Sequence, residues 1–322
     1  MSDTAMDSSK ILVFGEVLID LFMSYSSTTE GLPMFDCVGL PGGAPCNVAA
    51  NLVKCGSRVE FVSAFGDDLT GKELRKMLSD RRVGLDYSIF PQKSLTPMAT
   101  VYSENEQNTF RIYMEGSACS SLDVDTFDWS VLEESHWVHL GSVLMAQKNT
   151  RELTEVLAQR ASENECVVSY DINIRPNILS DDKEDNLALV EILRHVDILK
   201  LSNEDFVWIK ENLLQDLSDP SDLLAYGCSI IAWTHGAEGA IIITAEERIE
   251  VPPVISVFKD STGAGDAFTA GIIQFLSSNG IRTKKGIKDA AGNRELLKQA
   301  GLFAAGLASE IIAQQGALPR LA

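Results

Sequence analysis

The chain has 322 residues, 45% of them hydrophobic and 23% charged, with a formal net charge of −19. This composition is typical of a globular protein and not of a disordered or membrane protein. The negative charge is not offset by any lysine- and arginine-rich run, so it would repel a nucleic-acid backbone and predicts no nucleic-acid partner. An anionic ligand would need a locally positive site built from backbone amides, bound cations or a few basic side chains.

The cysteine pattern and the N-terminal residues indicate the compartment. Six cysteines occur without a C-x-x-C pair, and the four histidines do not cluster near them in sequence, which argues against a zinc site. The apolar stretch 11–23 is interrupted by Glu16 and Asp20 and is too short to span a bilayer. Residues 1–10 lack the features of a signal peptide. We therefore expect a cytoplasmic protein with reduced thiols and no membrane partner.

Short apolar runs with polar or glycine ends recur along the chain, and we predict a strand buried on both faces for each. These runs are residues 11–16, 59–68, 137–142, 166–173, 197–205 and 229–236. Helical patterns lie between several of them, at residues 47–55, 71–78, 151–162 and 187–195. The alternation of strands and helices predicts an α/β fold with a largely parallel sheet covered by helices on both sides.

Polar residues follow the predicted strands, and in a parallel sheet they would meet at the carboxyl edge, where ligands bind. They are Glu16, Asp20, Asp67, Asp68, Asp171, Asn173, Asn203, Glu204 and Thr234. Because loops also favour polar residues, this placement alone does not separate a binding site from ordinary loop starts.

Two segments, residues 21–38 and 98–114, interrupt the alternation. The second has the pattern of a hairpin that turns near residues 105–108. We expect residues 1–322 to form one large domain in which these two segments build a small second sheet over the active site. An ordinary surface excursion is the alternative.

A glycine-rich loop, D-S-T-G-A-G-D at residues 260–266, leads directly into a helical pattern. The N–H groups of Gly263, Ala264 and Gly265 would point outward there and, with the positive end of the helix dipole, bind a phosphoryl group. Asp266 lies in the first turn and is a candidate general base, with a helix-capping acid as the alternative. The loop is neither a Walker A motif nor a dinucleotide fingerprint.

Two motifs resemble signatures of the ribokinase-like (PfkB) carbohydrate kinases. DSTGAGDAFTAG at residues 260–271 is similar to the C-terminal signature, and GGAPCNVA at residues 42–49 matches the Gly-Gly pair followed by an Asn-led helix. The resemblance extends from GEVLID near the start to QQGALP near the end. It implies a three-layer α/β/α fold with a mainly parallel central sheet, a small β-sheet lid and a sugar bound between them.

The resemblance also implies roles for individual residues. Those implied to bind sugar hydroxyls are Asp20, Gly42, Gly43 and Asn47. A carboxylate and an amide supply directional acceptors and donors, and glycines let the sugar approach the backbone. The resemblance further implies that Asp266 takes the proton from the attacking hydroxyl while the amides of residues 263–265 hold the transferred phosphate.

Two arginines have an implied role and an alternative each. D-I-N-I-R-P at residues 171–176 resembles a stretch of the fructokinase-like and 2-keto-3-deoxygluconate kinase-like branches in which the arginine lies near sugar or phosphate. Arg175 would therefore contact a ligand, or else form a structural ion pair, since guanidinium suits both. Arg111, in the second unusual segment, would contact a substrate carboxylate or be a solvated lid residue.

The nucleotide and its cations are implied by three further matches. A T-x-G-x-x-G turn that contacts ATP in the family is matched by Thr234, Gly236 and Gly239. Asn203 is also implied to bind ATP. Asn203 also opens the region that organises Mg²⁺, but Phe206 replaces its final glutamate, which leaves Glu204 to act through water. Alternatively, Asn203 and Glu204 only start a helix. Asp260 and Gly316 match the places of a monovalent-cation site, which would make K⁺ a further cofactor.

The spellings GEVLID, PGGAPCNVA and DINIRP resemble fructokinases more than ribokinases or adenosine kinases. The expected activity is therefore ATP-dependent phosphorylation of the 6-hydroxyl of D-fructose. The alternatives are a 2-keto-3-deoxygluconate kinase, ribokinase or nucleoside kinase of the same family, or a catalytically silent sugar- or nucleotide-binding regulator. If the lid exposes an apolar face, two subunits would pair through it as a homodimer.

Overall fold

The computed structural model describes residues 9–28, 30–104, 107–254 and 257–320. In chain order the strands are β1 (Lys10–Phe14), β2 (Leu18–Ser27), β3 (Pro33–Gly42), β4 (Val59–Val62), β5 (Met98–Glu104), β6 (Gln107–Tyr113), β7 (Ser135–Gly141), β8 (Val167–Asp171), β9 (Ile198–Ser202), β10 (Ile230–Thr234), β11 (Ala240–Ile243) and β12 (Arg248–Val251). The α-helices are α1 (Ala44–Lys54), α2 (Leu69–Asp80), α3 (Lys148–Glu163), α4 (Lys183–Glu191), α5 (Asn203–Asn212), α6 (Ala264–Ser278), α7 (Lys284–Ala291) and α8 (Arg294–Ile312). No helix within these ranges is both long and apolar enough to cross a membrane.

The large sheet has eight strands in the order β12-β11-β10-β9-β8-β7-β1-β4. The strands from β10 to β4 pair in parallel, and the pairings of β10 with β11 and of β11 with β12 are antiparallel. Parallel neighbours need long crossovers, which the helices provide. The predicted mainly parallel sheet is confirmed.

Two apolar layers, one on each face of the large sheet, form the core. Successive residues of a strand point to opposite faces, so Leu12 and Phe14 of β1 enter one layer while Ile11 and Val13 enter the other. The first layer packs against α3, α4 and α5, and the second against α1, α2, α6, α7 and α8. This is the three-layer α/β/α arrangement expected from the sequence.

Close packing of α6 on α8 holds the start of α6 at the carboxyl edge of the sheet. A Cβ on Gly271 would lie 2.5 Å from the Cα of Ala304, so the two helices approach at a position that only glycine allows. Phe268 and Ile272 of α6 are buried in the second apolar layer. The N-terminus of α6 is therefore fixed relative to the strand ends.

The small sheet has four strands in the order β3-β2-β5-β6. The β2–β3 and β5–β6 pairs are antiparallel, and β2 pairs with β5 in parallel. β2 begins at residue 18 and β3 ends at residue 42, whereas the segment recognised in the sequence was residues 21–38. The predicted turn near 105–108 includes residues 105 and 106, which lie outside the described residues. β3 forms one edge, and residues 33–39 of it are exposed.

Candidate active site

A cavity of about 310 Å³ lies between the carboxyl edge of the large sheet and the small sheet. Leu18, Ala99 and Ile112 line it from the small sheet. Seven residues with predicted roles also line it, namely Asp20, Gly43, Asn47, Arg175, Gly263, Gly265 and Asp266. Segments more than 200 residues apart in the sequence therefore meet at one site.

Asp266 is buried in the first turn of α6, and its Oδ2 accepts a hydrogen bond from Nδ2 of Asn47 at 2.7 Å. Burial, reinforced by the charge of Asp171, raises the pKa of Asp266 to about 6, against the opposing effects of Asn47, Lys200 and Arg175. The N-cap of α6 is Gly263, without a side-chain cap hydrogen bond. Asp266 is thus held as a potential proton acceptor rather than as a helix cap.

The glycine-rich loop has a conformation that requires glycine at position 263. Gly263 has a φ of 81°, and a Cβ there would lie 2.5 Å from the Cβ of Ala317. The N–H of Ala264 donates to the carbonyl of Ser261 at 3.2 Å. The N–H groups of Gly263 and Gly265 have no hydrogen-bond partner in the described part of the chain, so these two amides remain for an anion.

Asp260 ties this loop to the C-terminal segment. Its Oδ1 accepts hydrogen bonds from the N–H of Thr262 at 2.9 Å and from its hydroxyl, and its Oδ2 accepts one from the N–H of Gly316 at 2.9 Å. Burial alone would raise the pKa of Asp260, but the hydrogen bonds from Thr262 and Gly316 outweigh it and lower the pKa. The two residues matched to a monovalent-cation site are thus in direct contact.

Asp20 and the two glycines before α1, for which the sequence predicts contacts with sugar hydroxyls, lie next to one another. A Cβ on Gly42 would lie 2.1 Å from Oδ2 of Asp20, so the carboxylate occupies space that a side chain would fill. Gly43 has a φ of 103°, and a Cβ there would lie 2.5 Å from the carbonyl oxygen of Glu16. Burial raises the pKa of Asp20 to about 6, and Arg175 opposes this shift.

Glu16, which the sequence placed at the carboxyl edge of the sheet without an individual role, lines the same cavity. Its Oε1 accepts a hydrogen bond from the N–H of Ala44 at 3.1 Å, whereas its buried Oε2 has no partner among the described residues. Burial raises the pKa of Glu16 to about 8, so the side chain is mostly a neutral acid at pH 7 and can donate a hydrogen bond. The available signal was that Glu16 is the only acid in the apolar stretch 11–19.

Arg175 brings positive charge to the cavity. It follows β8, is partly exposed, and its Nη1 donates to the carbonyl of Ile174 at 3.1 Å. Within the described ranges its guanidinium forms no ion pair, so it is not the structural partner of a carboxylate. Its charge lowers the pKa values of Asp20, Glu16 and Asp266.

The residues matched to ATP lie along the same edge, beside the cavity rather than in its lining. Thr234 ends β10 and is the register partner of Ser202 in β9, which places it next to Asn203 at the start of α5. Gly236 and Gly239 form the turn after β10, with φ values of 54° and 96°.

The first turn of α5 holds two adjacent acids that differ in burial. Glu204 is exposed, whereas Asp205 is buried and accepts hydrogen bonds at 2.7 Å from the N–H groups of Ser202 and Ile174. Phe206 packs in the core near Trp233. Sequence reasoning missed Asp205, for which the Ser-x-x-Asp capping box was the available signal.

The structure does not bring Arg111 to the cavity that holds Asp20 and Asp266. Arg111 is exposed on β6 and lines a second, wider cavity of about 900 Å³ together with Tyr113 and Lys148. Ile112, the next residue, borders both cavities. Neighbouring side chains of a strand point to opposite faces, which is why Ile112 reaches the first cavity and Arg111 does not.

Comparisons with known proteins agree with this architecture. Residues 8–321 match the family described as pfkB family carbohydrate kinase. The chain is 27% identical over 329 residues to the probable fructokinase-6, chloroplastic, of Arabidopsis thaliana, covering 99% of this chain and 81% of that protein. It is 29% identical over 281 residues to the fructokinase of Escherichia coli, covering 86% and 87%. The crystal structure of fructokinase with bound ATP from Xylella fastidiosa has a TM-score of 0.86 at 24% identity, covering 97% of this chain and 94% of that chain, which confirms the ribokinase-like fold.

Proposed function

The chain belongs to the pfkB family of carbohydrate kinases, and from this we propose that it is a fructokinase that phosphorylates the 6-hydroxyl of D-fructose with ATP. The family and its fructokinase-named relatives make it a phosphotransferase acting on carbohydrate. One observation supports the proposal most: Asp20, Asp266 and the amino end of α6 line the same cavity.

The sugar would be bound by Asp20, Asn47 and the backbone at Gly43. Nδ2 of Asn47 donates a hydrogen bond to Oδ2 of Asp266. The buried Oδ1 of Asn47 has no partner among the described residues, so this oxygen can accept a hydrogen bond from a sugar hydroxyl. Gly43 has no side chain to separate the sugar from the backbone. These contacts would present the 6-hydroxyl to Asp266.

Phosphoryl transfer would then use Asp266 as the base. Its carboxylate accepts the proton of the 6-hydroxyl as that oxygen bonds to the γ-phosphorus, and the bond from phosphorus to the ADP oxygen breaks. The free N–H groups of Gly263 and Gly265, with the dipole of α6, hold the phosphoryl oxygens. Arg175 adds a positive charge on the side of the cavity next to Asp20.

Two cations fit the site chemically. The described residues contain no cluster of three or more acidic, histidine or cysteine side chains able to hold a metal, and Mg²⁺ in kinases commonly keeps several waters and is held mainly by substrate phosphates. Glu204, exposed at the start of α5, would hold the hydrated ion, which neutralises phosphate charge. Asp260 and Gly316 would hold K⁺ next to the glycine-rich loop.

The test is a coupled assay of ADP release with purified protein, ATP and Mg²⁺. The acceptors are fructose, ribose, 2-keto-3-deoxygluconate, adenosine and glucose, and we expect the highest kcat/KM with fructose. A higher kcat/KM with another acceptor would keep the kinase and replace the substrate. ADP release with none of them would favour the catalytically silent regulator.

One observation favours a second substrate, 2-keto-3-deoxygluconate. The wider cavity carries the cationic side chains of Arg111 and Lys148 and adjoins the active-site cavity at Ile112. A carboxylate on a longer, open-chain acceptor would be attracted to these charges. In the same assay this substrate would then exceed fructose in kcat/KM.

We also propose that two subunits pair through their small sheets. Edge strand β3 exposes Met34, Phe35 and Val38 by 46%, 54% and 56%, and an exposed apolar edge favours association. Light scattering after size exclusion is expected to give the mass of a dimer, and Phe35→Asp is expected to give a monomer. Leu69→Asp is the control, since Leu69 is 76% exposed on α2. A wild-type monomer would contradict the proposal.

A further inference from the structure

A buried ion pair lies behind the active-site cavity. Nζ of Lys200, in β9, is 3.1 Å from Oδ1 of Asp171, the last residue of β8, and the two side chains are 8% and 2% exposed. Removing two charges from water is costly, so a buried pair contributes little stability of its own. Neither residue belongs to the cavity lining.

Lys200 also reaches the glycine-rich loop. A Cβ on Gly265 would lie 3.1 Å from Nζ of Lys200 and 3.6 Å from its Cε, so the ammonium packs against the backbone immediately before Asp266. The pair therefore connects the end of β8 with the first turn of α6. The signal in the sequence was a single lysine inside the buried strand D-I-L-K-L-S, residues 197–202.

The charges around this pair act on Asp266 with opposite signs. Burial alone would lower the pKa of Lys200, but Asp171, Asp205 and Asp266 raise it, so Lys200 is an ammonium at neutral pH. Burial raises the pKa of Asp266, Asp171 raises it further, and Lys200 lowers it. Among the described residues, the charged or titratable groups that face Asp266 are Glu16, Cys46, Asp171, Arg175 and Lys200. Those that face Lys200 are His139, Asp171, Asp205 and Asp266.

We propose that Lys200 and Asp171 are positioning residues of the active site: the Lys200 ammonium beneath Gly265 keeps the neighbouring Asp266 carboxylate deprotonated, and Asp171 holds the ammonium in place. The inference rests on the proposed function, because it requires Asp266 to accept a proton. It gives the buried pair a role in catalysis without contact to the substrate.

The test is the pH profile of kcat at saturating sugar and ATP, where Asp20 is already engaged by substrate. The acidic limb of this profile, the fall in kcat as the pH is lowered, reports the protonation of the base. Lys200→Gln removes the charge but keeps a donor for Asp171, and we expect it to move the limb up by about one pH unit. Asp171→Asn removes the opposite charge but keeps an acceptor for Lys200, and the limb is expected to move down. Lys200→Arg keeps the charge and is expected to leave the limb near its wild-type position.

Thermal unfolding of each variant separates this role from a purely structural one. Lost stability would reduce activity at all pH values without moving the acidic limb. It would not produce the opposite shifts expected for Lys200→Gln and Asp171→Asn. Unshifted limbs in both Lys200→Gln and Asp171→Asn would overturn the proposal. If Lys200→Gln fails to fold, an unshifted limb in Asp171→Asn alone overturns it. Full turnover by Asp266→Asn would instead show that the assignment of the base, and with it the proposed mechanism, is wrong.

Discussion

Asp266→Asn is expected to lower kcat for fructose by about 10³-fold, the usual range for losing a general base. The asparagine has the shape of the aspartate. Its side-chain oxygen can still accept the hydrogen bond that Nδ2 of Asn47 donates to Oδ2 of Asp266 at 2.7 Å in the wild-type protein. It cannot take a proton from the 6-hydroxyl. Steady-state ADP release with wild-type and variant protein measures the effect.

Asp20→Asn is the matched control, because it makes the same chemical change in the same cavity. We expect it to raise KM for the sugar by about tenfold, since it weakens a charge-assisted hydrogen bond, with a smaller change in kcat. If Asp266→Asn behaved like Asp20→Asn, Asp266 would be a binding residue and not the base.

Unfolding measurements show whether Asp266→Asn is folded. The unfolded chain loses the Asp266 proton near pH 3.8, while the folded chain keeps it until about pH 6 because burial raises the pKa. The wild-type carboxylate therefore destabilises the fold increasingly as the pH rises from 3.8 to 6, and by about 3 kcal/mol above pH 6. The asparagine variant is expected to unfold at or above the wild-type temperature at pH 7.

Gly263→Ala is expected to lower kcat/KM by at least about 10²-fold, the effect of losing one anion-hole donor. The new Cβ would lie 2.5 Å from the Cβ of Ala317 and 2.7 Å from its Cα, so the loop must shift away from the C-terminal segment. The N–H groups of Gly263 and Gly265 would then no longer point at the phosphoryl group. The assay is the same ADP-release measurement, with both substrates varied.

Gly280→Ala is the control for backbone strain. Gly280 follows α6 with a φ of 83°, close to the 81° of Gly263, but a Cβ there meets no atom within 4 Å. Each substitution places an alanine at a positive φ, which costs about 1 kcal/mol. Only Gly263→Ala also displaces the loop. Equal kcat/KM in the two variants would contradict the anion-hole assignment.

Sequence patterns were sufficient where one physical rule governed a residue. Apolar runs placed β1, β7, β8, β9 and β10 to within a few residues, because strands buried on both faces contain few polar residues. The glycine-rich loop before α6 could be located from the sequence because glycines directly before a helical pattern indicate a helix amino end with free N–H groups, which favours an anion. The two glycines before α1 were recognisable for a similar reason.

Sequence patterns were insufficient where the role depends on which way a side chain points. Glu204 and Asp205 are adjacent acids, and the second one turns inward to accept a hydrogen bond from the N–H of Ile174, 31 residues away in the sequence. Arg111 and Ile112 are also neighbours, and the direction of β6 decides which of them faces Asp20. Lys200 meets Gly265 through contacts between distant segments, which no local pattern reports.

The division of the site between the two sheets has a consequence for wasteful ATP consumption. Asp20 belongs to β2 of the small sheet, whereas Asp266 belongs to α6, which packs on the large sheet and follows the glycine-rich loop. A sugar has several hydroxyl groups and can touch both parts at once, but a water molecule is too small to bridge them. Under the proposed function, only the sugar and not water therefore gains binding energy from both parts of the site. An enzyme built in this way would spend ATP on sugar far faster than on hydrolysis.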